Sequence, residues 1–165
     1  MTPPLPVPPL HLHATLVAVH GRGLLLRGES GVGKSDLALE LLRRGHRLAA
    51  DDVVEVVERQ GWPWGSAPAK ITGRLEVREV GVVDVLDLFG PDAVVAASAI
   101  DAVVDLLPAA DAPPPRPIEP ADPTTLAGLD LPTFLLHAAD TTTLANRLEV
   151  IARLVSNRGE ELTHG

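Results

Sequence analysis

The sequence predicts an α/β domain in which a mixed β-sheet is flanked by helices. Three observations point to this class: β-prone apolar segments alternate with helical ones, a glycine-rich loop joins a strand to a helix, and two aspartates end the next strand. At 165 residues the chain suits one compact domain with its own hydrophobic core. We therefore expect a single three-layer domain over residues 11–165.

The first elements follow from prolines, glycines and apolar runs. Five prolines fall between residues 3 and 9. Because proline neither continues a helix nor donates a hydrogen bond to a sheet, residues 1–10 are predicted to form a disordered arm. Residues 14–19 and 23–26 are apolar and β-prone, and the glycines between them suit a tight turn. These two segments are predicted to form a hairpin.

A helix is predicted directly after the glycine-rich loop. Four leucines and an alanine in residues 37–42 form an apolar helical run. Arg43 and Arg44 suit the negative end of a helix dipole, and Gly45 stands where a left-handed C-cap belongs. The helix is therefore predicted to end at Gly45.

The later elements are marked by shorter signals. Further strands are predicted at residues 47–50, 53–57, 75–77, 100–106 and 133–136, and a closing helix is predicted at residues 144–155. Residues 61–65, Gly-Trp-Pro-Trp-Gly, are predicted to be a turn because of their glycines and proline. Residues 108–123 hold seven of the sixteen prolines and are predicted to be an irregular connection.

The composition excludes several functional classes. A formal charge of -8 argues against a nucleic-acid partner, because binding the phosphate backbone requires an excess of Lys and Arg. The absence of cysteine excludes disulfides, thiol catalysis and thiolate metal sites. No apolar run reaches the ~18 residues of a membrane-spanning helix, and no signal peptide is recognisable. We expect a cytoplasmic protein without membrane contact.

The glycine-rich loop satisfies the P-loop pattern, with a strand before it and a helix after it. Its residues are Gly28, Glu29, Ser30, Gly31, Val32, Gly33, Lys34 and Ser35. The glycines permit backbone angles that turn successive N–H groups towards a phosphate, and the helix N-terminus adds further donors. Lys34 is expected to reach the β- and γ-phosphates, and the Ser35 hydroxyl is expected to bind magnesium. ATP with Mg²⁺ is therefore the predicted ligand.

Acidic residues are predicted to complete the site. Asp51 and Asp52 follow the predicted strand at residues 47–50, and a carboxylate at such a strand end beside a P-loop commonly orients magnesium. Neighbouring side chains of a strand point to opposite faces, so the two aspartates are expected to divide the tasks of metal binding and proton acceptance. Asp52 is favoured as the proton acceptor. Glu76 is a candidate second metal ligand.

Three stretches resemble the HPr kinase/phosphorylase family. They are residues 28–52, with GESGVGKSDLALEL followed by RGHRLAADD; residues 12–17, LHATLV; and residues 75–85, LEVREVGVVDV. The resemblance covers about half of the chain and extends well beyond the generic phosphate loop. It implies a P-loop kinase domain of the HPr kinase/PEP carboxykinase type. We expect a short form of the family, without the separate N-terminal domain of its longer forms.

The resemblance implies an activity and its participants. Phosphate would pass from ATP, or from pyrophosphate, to a serine of the phosphocarrier HPr, and inorganic phosphate would remove it in the reverse step. Carried over by position, Ser35 and Glu76 hold magnesium, His13 and Arg78 support the catalytic site, and one of the two adjacent aspartates is the general base. A homohexamer is implied as well.

Two departures from the family pattern keep alternatives open. Glu79 stands where the family usually has glycine, and the family's basic loop is replaced by a proline-rich segment in which Arg116 is the candidate for its catalytic arginine. One alternative is a kinase of the same fold that acts on another protein or on a small-molecule hydroxyl. Another is a nucleotide-binding regulator with weakened catalysis.

Overall fold

The computed structural model describes residues 8–109 and 121–155 of the chain. Its strands are β1 Leu10–His13, β2 Thr15–Val19, β3 Arg22–Arg27, β4 Arg47–Ala50, β5 Val53–Arg59, β6 Trp62–Ser66, β7 Arg74–Val77, β8 Gly81–Asp84, β9 Ser98–Ala99, β10 Ala102–Leu107, β11 Thr124–Leu126, β12 Leu129–Leu131 and β13 Thr133–His137. Its α-helices are α1 Lys34–Arg43, α2 Val85–Phe89 and α3 Thr141–Leu154. Within the described residues, no helix is long and apolar enough to cross a membrane.

Five strands form a central mixed sheet in the order β13-β10-β3-β2-β4. Strand β10 is parallel to β3 and to β13, whereas β2 is antiparallel to β3 and to β4. The predicted hairpin of residues 14–19 and 23–26 is therefore present as β2 and β3. Its turn lies at His20 and Gly21, which both have positive φ.

The chain crosses between the central sheet and a second sheet at two adjacent points. The second sheet has the order β1-β5-β6-β9 and is antiparallel throughout. Ala14 separates β1 from β2, and Asp51 and Asp52 separate β4 from β5. The N–H of Ala14 donates to the carbonyl of Asp52 at 3.2 Å, so the two crossings lie side by side. This corner carries the acidic residues of the candidate site.

The alternation of side chains along the strands builds two cores. Leu24 and Leu26 of β3 point to one face and pack with the helices, whereas Leu25 points to the other face and packs with the second sheet. The layers are therefore helices α1 and α3, the central sheet and the second sheet. The predicted α/β class with a mixed sheet is confirmed, with α1 and α3 together on one face.

Helix α1 begins and ends as its sequence predicts. Gly33 is the N-cap in the left-handed region, and Leu37, Ala38 and Leu41 are completely buried. At the C-terminus, the N–H of Gly45 donates to Leu42 and that of His46 to Leu41, both at 3.0 Å. This pair of bonds is the Schellman motif, and it requires the positive φ of 90° that Gly45 adopts.

One predicted turn is wrong: the Gly-Trp-Pro-Trp-Gly segment is mostly strand. The turn is confined to Gln60 and Gly61, which have φ values of 54° and 78°, and β6 starts at once after them. The carbonyl of Pro63 accepts from the N–H of Ile100 at 3.0 Å, on the side of β6 away from β5. Because the N and C=O of a strand residue face the same side, the missing N–H of proline costs the pairing with β5 nothing.

Several element boundaries also differ from prediction. Strand β1 begins at Leu10, inside the predicted arm, because it pairs with β5. Strand β10 covers residues 102–107 instead of 100–106. Helix α3 begins three residues early because Asp140 caps it, accepting from the N–H of Thr143 at 2.8 Å. Residues 1–7 of the predicted arm and most of the proline-rich connection lie outside the described residues.

A network of charged side chains ties α3 to the turns at the far end of the sheet. Glu149 accepts from Arg44 and from His46 Nε2, the latter at 2.9 Å, and its carboxylate lies 3.5 Å from His20 Nε2. His46 Nδ1 accepts from the N–H of His20 at 3.3 Å. The hydrogen bond from His46 lowers the pKa of Glu149, and Arg44 adds to this against the effect of burial. The two imidazoles and the carboxylate satisfy one another, so we interpret the group as a structural tie.

We expect Glu149→Gln to lower the free energy of unfolding by about 1–2 kcal/mol at pH 7, because Arg44 and His46 lose a charged acceptor. The folded-state pKa of Glu149 lies below its unfolded value of about 4.3. The wild type should therefore lose this stabilisation as the pH falls below about 4.3, and the difference between the proteins should shrink there. Urea denaturation at pH 7 and at acid pH measures both effects. The exposed Glu58→Gln is the matched control, and an equal loss in both variants would contradict the assignment.

Candidate nucleotide and metal site

The phosphate loop occupies residues 28–33 between β3 and α1. Gly28, Gly31 and Gly33 have φ values of 156°, 85° and 109°, in the region that favours glycine. A Cβ on Gly28 would lie 2.7 Å from the carbonyl oxygen of Leu106 and 2.9 Å from a methyl of Val32. Gly28 is therefore required for two reasons: its backbone angle and its close approach to β10.

Lys34 is the first residue of α1, and it is only 7% exposed. Its Nζ donates to the carbonyl oxygens of Gly28 and Glu29, the latter at 3.3 Å. Burial lowers the pKa of Lys34, whereas the charges of Asp51 and Asp52 raise it. The ammonium group thus lies inside the loop, on carbonyl contacts that phosphate oxygens can replace, beside the free N–H groups of the helix start.

Asp51 is the buried acid of the corner. Asp51 is only 6% exposed, and its carboxylate accepts hydrogen bonds from β2, α1 and β7. The Ser35 hydroxyl donates to Oδ1 at 2.9 Å and lies 3.1 Å from Oδ2. The Thr15 hydroxyl donates to Oδ1 at 2.9 Å, and the N–H of Glu76 donates to Oδ2 at 3.2 Å. Because Ser35 gives its proton to Asp51, its oxygen lone pairs remain available to a metal.

Asp52 is the exposed acid of the same corner. Its side chain is 65% exposed, and its φ of 71° turns it away from Asp51. His13 Nδ1 lies 3.3 Å from Asp52 Oδ1, and His13 Nε2 lies 3.4 Å from the hydroxyl of Ser30 in the phosphate loop. His13 therefore bridges the exposed carboxylate and the phosphate loop.

The β7–β8 hairpin forms the opposite rim of the site. Arg78 Nη2 donates to the carbonyl of Gly31 at 3.2 Å, and Arg78 Nε lies 3.6 Å from Asp36 in the first turn of α1. Glu76 is exposed towards the same space. Glu79, at the tip of the hairpin, has a φ of 66°. Because this left-handed backbone favours glycine, it gives a physical reason for the glycine that the family usually has where this chain has Glu79.

These elements surround one cleft of about 270 Å³. It is lined by His13, Thr15, Ser30, Gly31, Gly33, Lys34, Ser35, Asp36, Asp52, Glu76 and Arg78. Nine of the predicted site residues are thus brought together, although their roles remain predictions. Asp51 lies behind Ser35 and does not line the cleft, and Arg116 falls outside the described residues.

Two lining residues, Thr15 and Asp36, were missed by the sequence-based prediction. Thr15 carried one usable signal, because it is the only polar residue of the strand Thr-Leu-Val-Ala-Val. A hydroxyl in an otherwise buried strand needs a hydrogen-bond partner. Asp36 carried no such signal, since acidic residues are common in the first turn of any helix.

The side chains of this cleft suit a hard divalent cation. Ser35, Asp52 and Glu76 present hydroxyl and carboxylate oxygens around the cleft, with the Asp51 carboxylate directly behind Ser35. Oxygen ligands of this kind are those that Mg²⁺ prefers, and Mg²⁺ is usually held by one or two carboxylates together with phosphates. Ser35 and Glu76 would therefore hold the ion beside the phosphate loop.

The fold and the cleft define a P-loop domain in which the phosphate loop faces the corner that carries Asp51 and Asp52. The chain belongs to the family described as the HPr Serine kinase C-terminal domain, whose model matches residues 7–162. The solved structure of the Hpr(Ser) kinase/phosphatase from Coxiella burnetii is similar, with a TM-score of 0.78 and 29% sequence identity. That match covers 87% of this chain and 88% of the other. Both the predicted family and the predicted fold type are confirmed.

Curated relatives match over part of their length. The HPr kinase/phosphorylase of Clostridium tetani is 48% identical over 99 residues, which cover 60% of this chain and 32% of that protein. The HPr kinase/phosphorylase of Levilactobacillus brevis is 48% identical over 96 residues, covering 58% and 31%. The aligned part of this chain thus spans about a third of the length of these relatives.

Lys34→Ala is expected to weaken the binding of ATP by about 100-fold or more, because a buried charged partner of the phosphates is lost. Lys70, the only other lysine of the chain, is exposed, and Lys70→Ala is the matched control. Calorimetric titration with ATP and Mg²⁺ measures both affinities. Retention of wild-type affinity by Lys34→Ala would exclude this loop as the phosphate site.

Proposed function

We propose that this domain is an ATP-dependent, or pyrophosphate-dependent, protein-serine kinase and phosphorylase whose substrate is an HPr-like phosphocarrier. One observation carries the proposal beyond family membership: two adjacent aspartates occupy different environments beside one phosphate loop. Asp51 is buried and hydrogen-bonded to Ser35, whereas Asp52 is exposed and lines the cleft. Asp51 can thus orient Ser35 for metal binding, while Asp52 can accept the proton of the reacting hydroxyl.

In the forward direction, the phosphate loop and Lys34 hold the β- and γ-phosphates of the donor. Magnesium, when bound, neutralises charge on those phosphates. Asp52 accepts the proton of the incoming serine hydroxyl, because its carboxylate is exposed in the cleft. The Asp51 carboxylate is buried and already engaged in four contacts, with Thr15, Ser35 and the N–H of Glu76. The serine oxygen then forms its bond to phosphorus as the bond from that phosphorus to the leaving group breaks, which releases ADP from ATP or phosphate from pyrophosphate.

The same groups account for the reverse step. Inorganic phosphate attacks the seryl phosphate in the loop, the bond from phosphorus to the serine oxygen breaks, and pyrophosphate forms. The protonated Asp52 returns its proton to the serine oxygen, as a group that is a general base in one direction must act as a general acid in the other. Pyrophosphate as an alternative donor follows from the same chemistry.

His13 and Arg78 are proposed to support these steps. His13 connects Asp52 to Ser30 of the loop, so it fixes the distance between the base and the transferred phosphate. Arg78 connects the β7–β8 hairpin to Gly31 of the loop, and its guanidinium is placed at the cleft to contact phosphate oxygens. Arg116 is retained as the candidate for the family's loop arginine.

A regulator with weakened catalysis is the second candidate function. The observation that favours it is Glu79, whose φ of 66° is strained for a residue other than glycine. Its carboxylate also adds negative charge to the hairpin at the rim of the cleft. Cytoplasmic location and assembly into a homo-oligomer of six subunits belong to the main proposal, and the six-subunit assembly rests on the resemblance to the family.

The proposal is tested with labelled ATP, Mg²⁺ and purified HPr from the same source. Acid-stable label on a serine of HPr supports it. Label on another protein or on a small molecule would replace HPr as the acceptor, and nucleotide binding without transfer would favour the regulator. Loss of labelled HPr on addition of inorganic phosphate, with formation of pyrophosphate, tests the reverse step.

Asp52→Asn is expected to lower kcat for transfer by about 10²–10⁴-fold, since general base catalysis is lost, with little change in nucleotide affinity. Steady-state kinetics and calorimetric titration separate the two quantities. The exposed Asp92→Asn is the control and should match the wild type. An active Asp52→Asn enzyme would assign the base elsewhere.

A further inference from the structure

Thr15 stands out because its polar side chain is completely buried beside the acidic corner. It is the first residue of β2 and has 0% exposure. Side chains alternate along a strand, and Thr15 lies on the same face as Val17 and Val19, which pack with the helices. Its hydroxyl therefore points to the side on which Ser35 lies in the first turn of α1, and it donates to Asp51 Oδ1 at 2.9 Å.

The hydrogen bonds to Asp51 are divided between its two oxygens. Oδ1 accepts from both Thr15 and Ser35, whereas Oδ2 accepts from the N–H of Glu76 and has the longer contact to Ser35. These donors belong to β2, α1 and β7. Without the Thr15 hydroxyl, every remaining donor would lie on the side of α1 and β7, so the carboxylate plane would be free to turn towards them.

The direction of the Ser35 hydroxyl depends on that plane. Ser35 has a single proton, and as long as this proton is donated to Asp51, the oxygen lone pairs face away from Asp51 towards the cleft. A turned carboxylate would accept that proton in a different direction and would move the lone pairs with it. Outer partners that orient a ligand in this way typically change metal affinity by about 10–100-fold.

We propose that Thr15 is a positioning residue of the magnesium site, acting through Asp51 on the orientation of Ser35. The inference rests on the proposed function of the cleft as a site for Mg²⁺ with a nucleotide, but not on the identity of the phosphate acceptor.

The test is the Mg²⁺ concentration at which the domain binds a fluorescent ADP analogue half-maximally. Thr15→Val, which replaces the hydroxyl by a methyl of similar size, is expected to require about tenfold more Mg²⁺. Thr15→Ser, which keeps the hydroxyl, should stay within about twofold of the wild type. Thr15→Ala is measured in parallel in case the second methyl of valine disturbs folding, and it should behave as Thr15→Val does.

Thr133→Val is the matched control for stability. Thr133 is also buried, and its hydroxyl bonds to Thr124 at 2.7 Å and to the carbonyl of Leu131 at 3.2 Å, away from the cleft. It should lower the melting temperature by an amount similar to that of Thr15→Val without changing the Mg²⁺ requirement. An unchanged requirement in Thr15→Val and Thr15→Ala would overturn the inference.

A double-mutant cycle with Ser35→Ala identifies the route of the effect. If Thr15 acts through Ser35, the removal of both hydroxyls should raise the Mg²⁺ requirement no more than Ser35→Ala does alone. Additive effects would overturn the proposed route. Nucleotide binding by the wild type that needs no Mg²⁺ would overturn the inference together with the metal site, whereas failure to label HPr with Mg²⁺-dependent binding intact would overturn only the proposed acceptor.

Discussion

The hydrogen bonds to Asp51 are the constraint on which the rest of the site depends. A carboxylate buried beside two sheets is costly unless hydrogen bonds and a nearby cation offset its desolvation. Here Thr15, Ser35 and the N–H of Glu76 supply the bonds, and the Lys34 ammonium lies close enough to interact with its charge. Since these groups belong to β2, α1 and β7, satisfying one charge fixes three elements relative to one another.

This constraint explains where the cleft lies. The chain passes from one sheet to the other at Ala14 and again at Asp51 and Asp52, so the pairing of β2 with β4 ends there. The aspartate side chains can therefore point towards Ser35 and the cleft beside the phosphate loop. The loop itself leaves β3, the neighbour of β2 in the central sheet. The phosphate loop and the acidic side chains consequently face each other across one edge of the molecule, an arrangement that would suit a phosphate with a divalent ion.

The opposite end of the sheet is held by a different kind of interaction. There Arg44, His46 and Glu149 join the end of α1 to α3, and the same α1 begins at the phosphate loop. Helix α1 is thus fixed at both ends, by Asp51 through Ser35 at one end and by the charged network at the other. A helix held in this way keeps the N–H groups of its first turn fixed at the phosphate loop, where a bound phosphate would meet preorganised donors.

Local sequence patterns determined the parts of this protein whose physics is local. The phosphate loop, the Schellman end of α1 at Gly45, the β2–β3 hairpin and the family follow from glycine positions, helical periodicity and the run of residues 28–52. Tertiary structure alone decided which aspartate is buried, that Thr15 faces Asp51, and that the Trp-Pro-Trp segment is a strand. The physical reason is that each of these depends on partners far away in the chain, such as a carboxylate 36 residues away from Thr15 and the strand β9 that pairs with β6 on the side away from β5.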